Sequence, residues 1–259
     1  MSVELHVEET GAGAPLVLLH AFPLDSRMWL DARPRLGERF RVITPDLRGF
    51  GSSPLGSDEP SVDAMARDVV DLLDRLSLER VVLGGLSMGG YVAMAFLRHH
   101  ADRVRAVVLA DTKAAADPPA ARDNRERIAR TALEERSARV VVDDVLPTLL
   151  GETTRKQRPH VEQAVRSLVG NAPPEAIAWA QRAMGARPDS FDVLRALTVP
   201  TLVVVGDEDR VSPLTDARAM AEAAPVGRLA VLAGAGHLSA METPELFSTS
   251  VGAFVAACL

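Results

Sequence analysis

Apolar positions in this chain fall into two kinds of pattern. The first is a set of short continuous runs: Leu16-Val17-Leu18-Leu19 ahead of His20, Val81 to Leu86, Val104 to Ala110, and Thr201 to Val205. Branched, apolar on successive positions and too short for helices, they predict strands buried on both faces, as in a parallel sheet. Residues 2–9 alternate as an edge strand would and turn at Gly11-Ala12-Gly13; Phe40 to Ile43 and Arg228 to Leu232 complete the strand set. The second pattern is helical spacing. It runs from about Ser26, from a cap at Ser61 or Asp63 to about Leu76, and after Gly89-Gly90, where Val92, Ala95, Phe96 and His99 align. It returns from about Pro213 and over Glu245 to Ala257. Strands alternating with helices predict an α/β protein with a mostly parallel, doubly wound sheet.

That alternation stops at Asp111-Thr112. From Lys113 to about Leu197 the chain is rich in Ala and Arg, and has helical spacing without a convincing strand. Pro118-Pro119, Pro147, Pro159, Pro173-Pro174 and Pro188 cut it into an expected four or five short helices. Residues 1–112 and 198–259 then form the core, with 113–197 a helical cap (lid) inserted after the strand 104–110.

Composition narrows the partners. A chain of 259 residues with 47% hydrophobic content can bury one large core. The net charge of -6 and the lack of a basic cluster make nucleic acid and anionic membrane surfaces poor partners. No apolar run approaches the ~20 residues of a membrane span. Met1 to His6 lacks the basic-then-apolar layout of a signal peptide, and Cys258 has no disulfide partner. A cytoplasmic address is expected. No His or Cys cluster calls for a metal, and no pattern encodes an oligomeric state.

Where the 81–86 run turns into helix, the chain reads Gly85-Leu86-Ser87-Met88-Gly89. A strand that becomes helix within one residue strains the serine backbone and crowds the positions two residues either side, where glycine avoids a clash. The hydroxyl is then held above the sheet edge, at a helix N-terminus that favours developing negative charge. Ser87 is the candidate nucleophile, and a serine hydroxyl needs a base. In an open parallel sheet that base lies beyond the carboxyl ends of the strands. His237, in the Gly234-Ala235-Gly236-His237 loop after the last strand, fits this position. His20 reads as a buried residue shaping its loop, His99 and His100 as a helix end, and His6 and His160 as solvated. The carboxylate that orients the base should follow the strand 201–205, where Asp207, Glu208 and Asp209 compete. Asp209, at the loop tip, is favoured, and Asp111 is the alternative from the preceding strand. Two backbone N–H groups, those of Met88 and Phe22, are the candidate oxyanion hole, with their side chains lining the acyl pocket. In the cap, Trp179 is a candidate substrate contact or a helix-packing residue. Arg155, Arg158, Arg166, Arg182 and Arg187 could meet a substrate carboxylate or, as scattered arginines usually are, be simply solvated.

Taken in order, His20-Ala21-Phe22-Pro23, Asp46-Leu47-Arg48-Gly49-Phe50-Gly51-Ser52-Ser53, Gly85-Leu86-Ser87-Met88-Gly89-Gly90, Gly206-Asp207-Glu208-Asp209 and Gly236-His237-Leu238 make the chain resemble the α/β-hydrolase fold family over nearly its whole length. The Ser-Met-Gly-Gly elbow and the cap position are most similar to small bacterial esterases, enol-lactonases such as 3-oxoadipate enol-lactonase, and cofactor-free perhydrolases. One departure is Ala21, where the family has glycine after the histidine. The resemblance implies a Ser87–Asp209–His237 triad, no cofactor, and hydrolysis of a small-molecule ester or lactone. C–C, thioester or amide hydrolysis, perhydrolysis and a non-catalytic ligand-binding protein stand as alternatives.

Overall fold

The computed structural model describes residues 2–259; Met1, the first residue of the expected core segment, lies outside them. Seven strands form a single sheet: Val7–Thr10 (β1), Pro15–Leu19 (β2), Arg41–Pro45 (β3), Val81–Leu86 (β4), Val104–Ala110 (β5), Thr201–Gly206 (β6) and Gly227–Leu232 (β7). Their order is β1-β3-β2-β4-β5-β6-β7, and every neighbouring pair is parallel except β1 with β3. The four continuous apolar runs became the four adjacent inner strands β2, β4, β5 and β6, almost entirely buried. Helices flank the sheet: Val62–Arg75 packs on Met88–His100, and Ala32–Gly37 packs on Pro244–Ala257. β3 and β4 lie on opposite sides of β2. The winding therefore reverses between β2 and β4, which opens a crevice beyond their carboxyl ends. Among the described residues no helix is long and apolar enough to cross a membrane.

Several boundaries differ from expectation. The first strand covers only Val7–Thr10, because an edge strand needs no continuous apolar run to hold it. The helix expected from Ser26 is a 3-10 turn, Ser26–Trp29, followed by Ala32–Gly37; Asp25 caps the turn by accepting from the Arg27 N–H. A short helix, Ser239–Glu242, was not foreseen. Between β5 and β6 lie seven helices, not four or five. Prolines occupy the first turn of four of them, as their missing N–H allows. The additional breaks come at Arg136, left-handed at φ 49°, and at Gly151, neither of which is a proline signal.

The loop after β3 is held by buried polar contacts. Asp46 accepts from the Ser26 and Ser52 amides at 2.8 and 2.9 Å. Gly51, at φ +55°, is required there because a Cβ would overlap the Asp46 carboxylate. Arg48, its side chain fully buried, forks onto Asp68 with Nε and Nη2 both 2.7 Å from the carboxylate oxygens. Its guanidinium also sits 5.4 Å from the Trp179 ring centroid, tying the inserted helices to the core. Removing Asp68 leaves the buried guanidinium with the longer 3.5 Å contact of its Nη2 to Asp58 in place of the fork. Asp68→Ala is therefore expected to cost about 3–5 kcal/mol, read as a fall in Tm of roughly 6–20 °C in calorimetry. A change under 2 °C would show that the fork contributes nothing.

Candidate active site

Ser87 sits between β4 and the helix Met88–His100 with φ 53° and ψ -111°, a left-handed conformation unusual for a non-glycine residue. The turn is fixed from several directions. The Ser87 N–H donates to the Ala110 carbonyl at 2.9 Å, and the Ser87 carbonyl accepts from Thr112 Oγ1 at 2.8 Å and from the Gly90 N–H at 2.9 Å. A Cβ on Gly85 would overlap the Gly89 carbonyl, and one on Gly89 would overlap the Leu19 carbonyl. Both glycines are thus needed for space, and the serine hydroxyl emerges over the β2/β4 crevice.

His237 reaches that hydroxyl from the loop after β7. Its Nε2 lies 2.8 Å from Ser87 Oγ, and its Nδ1 lies 2.9 Å from Asp209 Oδ2. Buried Glu242 shapes this loop, accepting from the Gly236 and Leu238 amides at 2.9 and 3.0 Å and from the Gly151 amide at 2.8 Å. The His237 N–H donates to the Leu149 carbonyl at 3.0 Å, so the inserted helices brace the histidine. Asp209 follows β6 and is almost fully buried. Its Oδ1 accepts from the Val211 and Ser212 amides at 2.8 and 3.0 Å, and Ser212 Oγ donates to Oδ2 at 2.7 Å. With Asp209 accepting on every side, Nδ1 is the protonated ring nitrogen and Nε2 is left to accept from serine.

The charges agree with that arrangement. Burial pushes the Asp209 carboxyl up, but the charge of His237 and the hydrogen bonds from His237 and Ser212 outweigh it, and the net shift is downward. Burial pulls the His237 imidazole down; the Asp209 charge and hydrogen bond outweigh this and raise it above its ordinary 6.5. The other acids are occupied elsewhere. Asp207 accepts from the Gly234 amide at 2.8 Å, and Glu208 accepts from the Thr153 amide at 2.8 Å. Asp111 accepts from the Gly206 amide at 3.0 Å and from the Ser239 amide and hydroxyl at 3.1 and 2.5 Å. Full burial, then the nearby Asp209 charge, raises the Asp111 carboxyl to about 8.

Phe22 lies in the loop after β2. His20 Nε2 accepts from the Leu47 N–H at 2.8 Å and its Nδ1 donates to the Ala21 carbonyl at 2.9 Å, which also accepts from the Leu24 N–H at 2.9 Å. His20 is therefore occupied in holding the loop. Met88 follows Ser87 directly, as the first helical residue, where N–H groups have no partner within the helix. The cavity over Ser87 and His237 measures about 270 Å³, and the Phe22 ring lines it. A wider cleft of about 420 Å³, lined by His6, Asp25 and Arg33, includes neither Ser87 nor His237.

Three sets of candidate pocket side chains do not line the cavity. The Met88 side chain is buried in the core and does not line the cavity. Trp179 faces away from it: the indole Nε1 donates to the Asp58 carbonyl at 2.8 Å, under the Arg48 guanidinium. None of the candidate arginines lines the cavity. Arg182 pairs with Glu126, Arg166 with Glu162, Arg158 donates to the Gly234 and Glu242 carbonyls, and Arg155 donates to the Pro147 carbonyl; Arg187 sits behind the cavity wall, stacked on Tyr91 and paired with Asp117. The polar wall instead includes Lys113, Asp117, Asn124, Arg125, Asp144, Thr148 and Gln181. Sequence reasoning missed them all because no motif marks them. Ser212, three residues after Asp209 in a turn, was legible as a side-chain-capped loop and was overlooked.

Comparison with known proteins adds the last observations. A profile of the alpha/beta hydrolase fold matches residues 14–244. A thermophilic esterase from Thermogutta terrifontis, its structure solved with malate bound, superimposes with a TM-score of 0.96 at 42% identity, covering 99% of this chain and 94% of that one. The enol-lactonase from Burkholderia xenovorans LB400 superimposes with a TM-score of 0.89 at 29% identity, covering 98% and 97%. A pimeloyl-[acyl-carrier protein] methyl ester esterase of Aeromonas hydrophila is 30% identical over 261 residues, covering 98% of this chain and 100% of that one.

Proposed function

The chain belongs to the α/β-hydrolase fold family, and from that premise we propose that it is a serine hydrolase cleaving a small carboxylic ester or lactone through an acyl-enzyme. The observation that carries this reading is the continuous chain of contacts from Ser87 Oγ through the His237 ring to Asp209 Oδ2. The esterase and enol-lactonase among its similar structures support the ester or lactone as substrate.

In this mechanism Ser87 Oγ attacks the substrate carbonyl carbon as His237 Nε2 takes the hydroxyl proton. The carbonyl electron pair moves to oxygen, where the Phe22 and Met88 N–H groups receive it. Such a donor is worth about 2.7–4 kcal/mol of barrier. Asp209 holds the imidazolium in place. When the oxyanion collapses, the bond to the alkoxy oxygen breaks and His237 returns its proton to that oxygen. Water, deprotonated by the same nitrogen, then attacks the acyl-enzyme; collapse releases the acid, and the proton returns to Ser87. Residues 113–197 act as the cap over this site, and their contacts through Leu149 and Gly151 make them part of its support.

The test is turnover of short p-nitrophenyl esters across pH. His237 must be neutral to accept a proton, so kcat/KM falls as pH drops through its pKa. Because that pKa is raised, the acidic limb is expected to have its midpoint above 6.5. No turnover of any ester in the panel, or a limb centred below 6.5, would count against the assignment.

A further inference from the structure

Around the buried carboxylate in the cavity wall, cations outnumber the acids that answer them. Asp117, fully buried, has three cations around it: Arg125 Nε on Oδ2, Arg187 Nη1 at 3.0 Å from Oδ1, and Lys113 Nζ at 3.9 Å from Oδ1. Burial pushes the Asp117 carboxyl up, but the charges and hydrogen bonds of Arg125 and Arg187 outweigh it, so it is ionised at neutral pH. Asp144, the other acid lining the cavity, is paired with Arg127 at 2.8 Å. One negative charge thus answers three positive ones.

Arg187 lies 3.9 Å over the Tyr91 ring and donates to the Met184 and Ala115 carbonyls at 2.8 Å; its Nε is buried without a partner, but the residue does not line the cavity. The other two line it and are less fully engaged. Arg125 spends Nε on Asp117 and Nη1 on Gln181 Oε1, leaving Nη2 without a protein acceptor among the described residues. Lys113 makes no hydrogen bond among them, and its side chain is only 24% exposed. Both line the same cavity as Ser87, and Lys113 follows Thr112, whose hydroxyl holds the Ser87 carbonyl. Partly buried, uncompensated cations with free donors call for an anion. The rest of the wall, Ile128, Leu149, Met184 and Val211, suits a short run of methylenes.

We propose that the cavity selects an ester whose acyl chain ends in a carboxylate, a half-ester of a short dicarboxylic acid, with Lys113 and Arg125 as the carboxylate contacts. This rests on the hydrolase reading for the position of the ester, and on the charge of the cavity wall for the carboxylate.

The decisive comparison is kcat/KM for monomethyl glutarate against methyl pentanoate, whose chains differ in the terminal group. The wild type is expected to favour the half-ester by about tenfold or more, Lys113→Met to reduce that ratio about tenfold, and Lys113→Arg to retain most of it. A wild-type ratio near one, or a ratio indifferent to Lys113→Met, overturns the inference and leaves the hydrolase reading intact. Calorimetric binding of glutarate against glutaramide needs no turnover and separates the two readings. Glutarate binding at least about tenfold tighter and lost in Lys113→Met supports the carboxylate site even if neither ester is hydrolysed. Equal binding of the two overturns it.

Discussion

Ser87→Ala is expected to reduce ester turnover by roughly 10⁴–10⁶-fold while leaving the protein folded. Ser87 Oγ makes its hydrogen bond to His237 and sits at the end of a turn held by backbone groups and Thr112, so removing the hydroxyl takes away no structural link beyond that bond. A second substitution isolates the backbone. At φ 53° the residue is strained for any side chain, by about 1–3 kcal/mol, and glycine escapes that strain. Ser87→Gly should be as inactive as Ser87→Ala yet melt roughly 2–10 °C higher, marking the position as one where stability is given up for a projecting hydroxyl. The chemical counterpart is a fluorophosphonate. Ser87 Oγ displaces fluoride and forms an O–P bond, and His237→Ala should slow that labelling to background. Turnover within tenfold of wild type in Ser87→Ala, or label found on another residue, would remove serine from the mechanism.

The parts of this protein that could be read from sequence are those that local chemistry dictates. β5 was bounded to the residue because a strand buried on both faces is apolar at nearly every position, and Asp111 and Arg103 interrupt that run. The Ser87 turn was legible because two glycines at fixed offsets answer a steric demand visible without coordinates. The segment 113–197 was harder. Its proline-led helices were anticipated, but the stop at Arg136 depends on a left-handed residue that no composition marks. Trp179 failed as a pocket residue because the same helix offers two faces. One carries Gln181 and Met184 to the cavity, and the other carries the indole to Asp58 and Arg48. The cationic wall was invisible because Lys113 and Arg125 come from different segments and meet only around Asp117.

The choice between Asp209 and Asp111, open in the sequence, yields the second large effect: Asp209→Asn should lower kcat/KM by on the order of 10⁴-fold. An asparagine there has one carbonyl oxygen for two sets of donors. The Val211 and Ser212 amides at Oδ1 fix the oxygen on their side, which turns the NH₂ toward His237 Nδ1. That nitrogen must then accept, the ring proton moves to Nε2, and the lone pair facing Ser87 is lost. Asp111→Asn meets a different environment. Its carboxyl accepts from the Gly206 amide and from Ser239 and makes no hydrogen bond to His237, so the amide leaves the tautomer that serves Ser87 in place. Activity should stay within about tenfold of wild type. The stability signature has a definite sign. In the folded state the group holds its proton up to about 8, while the unfolded chain releases it near 3.8, so this residue's contribution to stability declines as pH rises between those values. Asp111→Asn should flatten that part of the profile of Tm against pH, and Asp209→Asn should steepen no part of it between those limits. If Asp111→Asn instead cost the 10⁴-fold expected of Asp209→Asn, and Asp209→Asn were tolerated, the orienting carboxylate would be the one after β5 and not the one after β6.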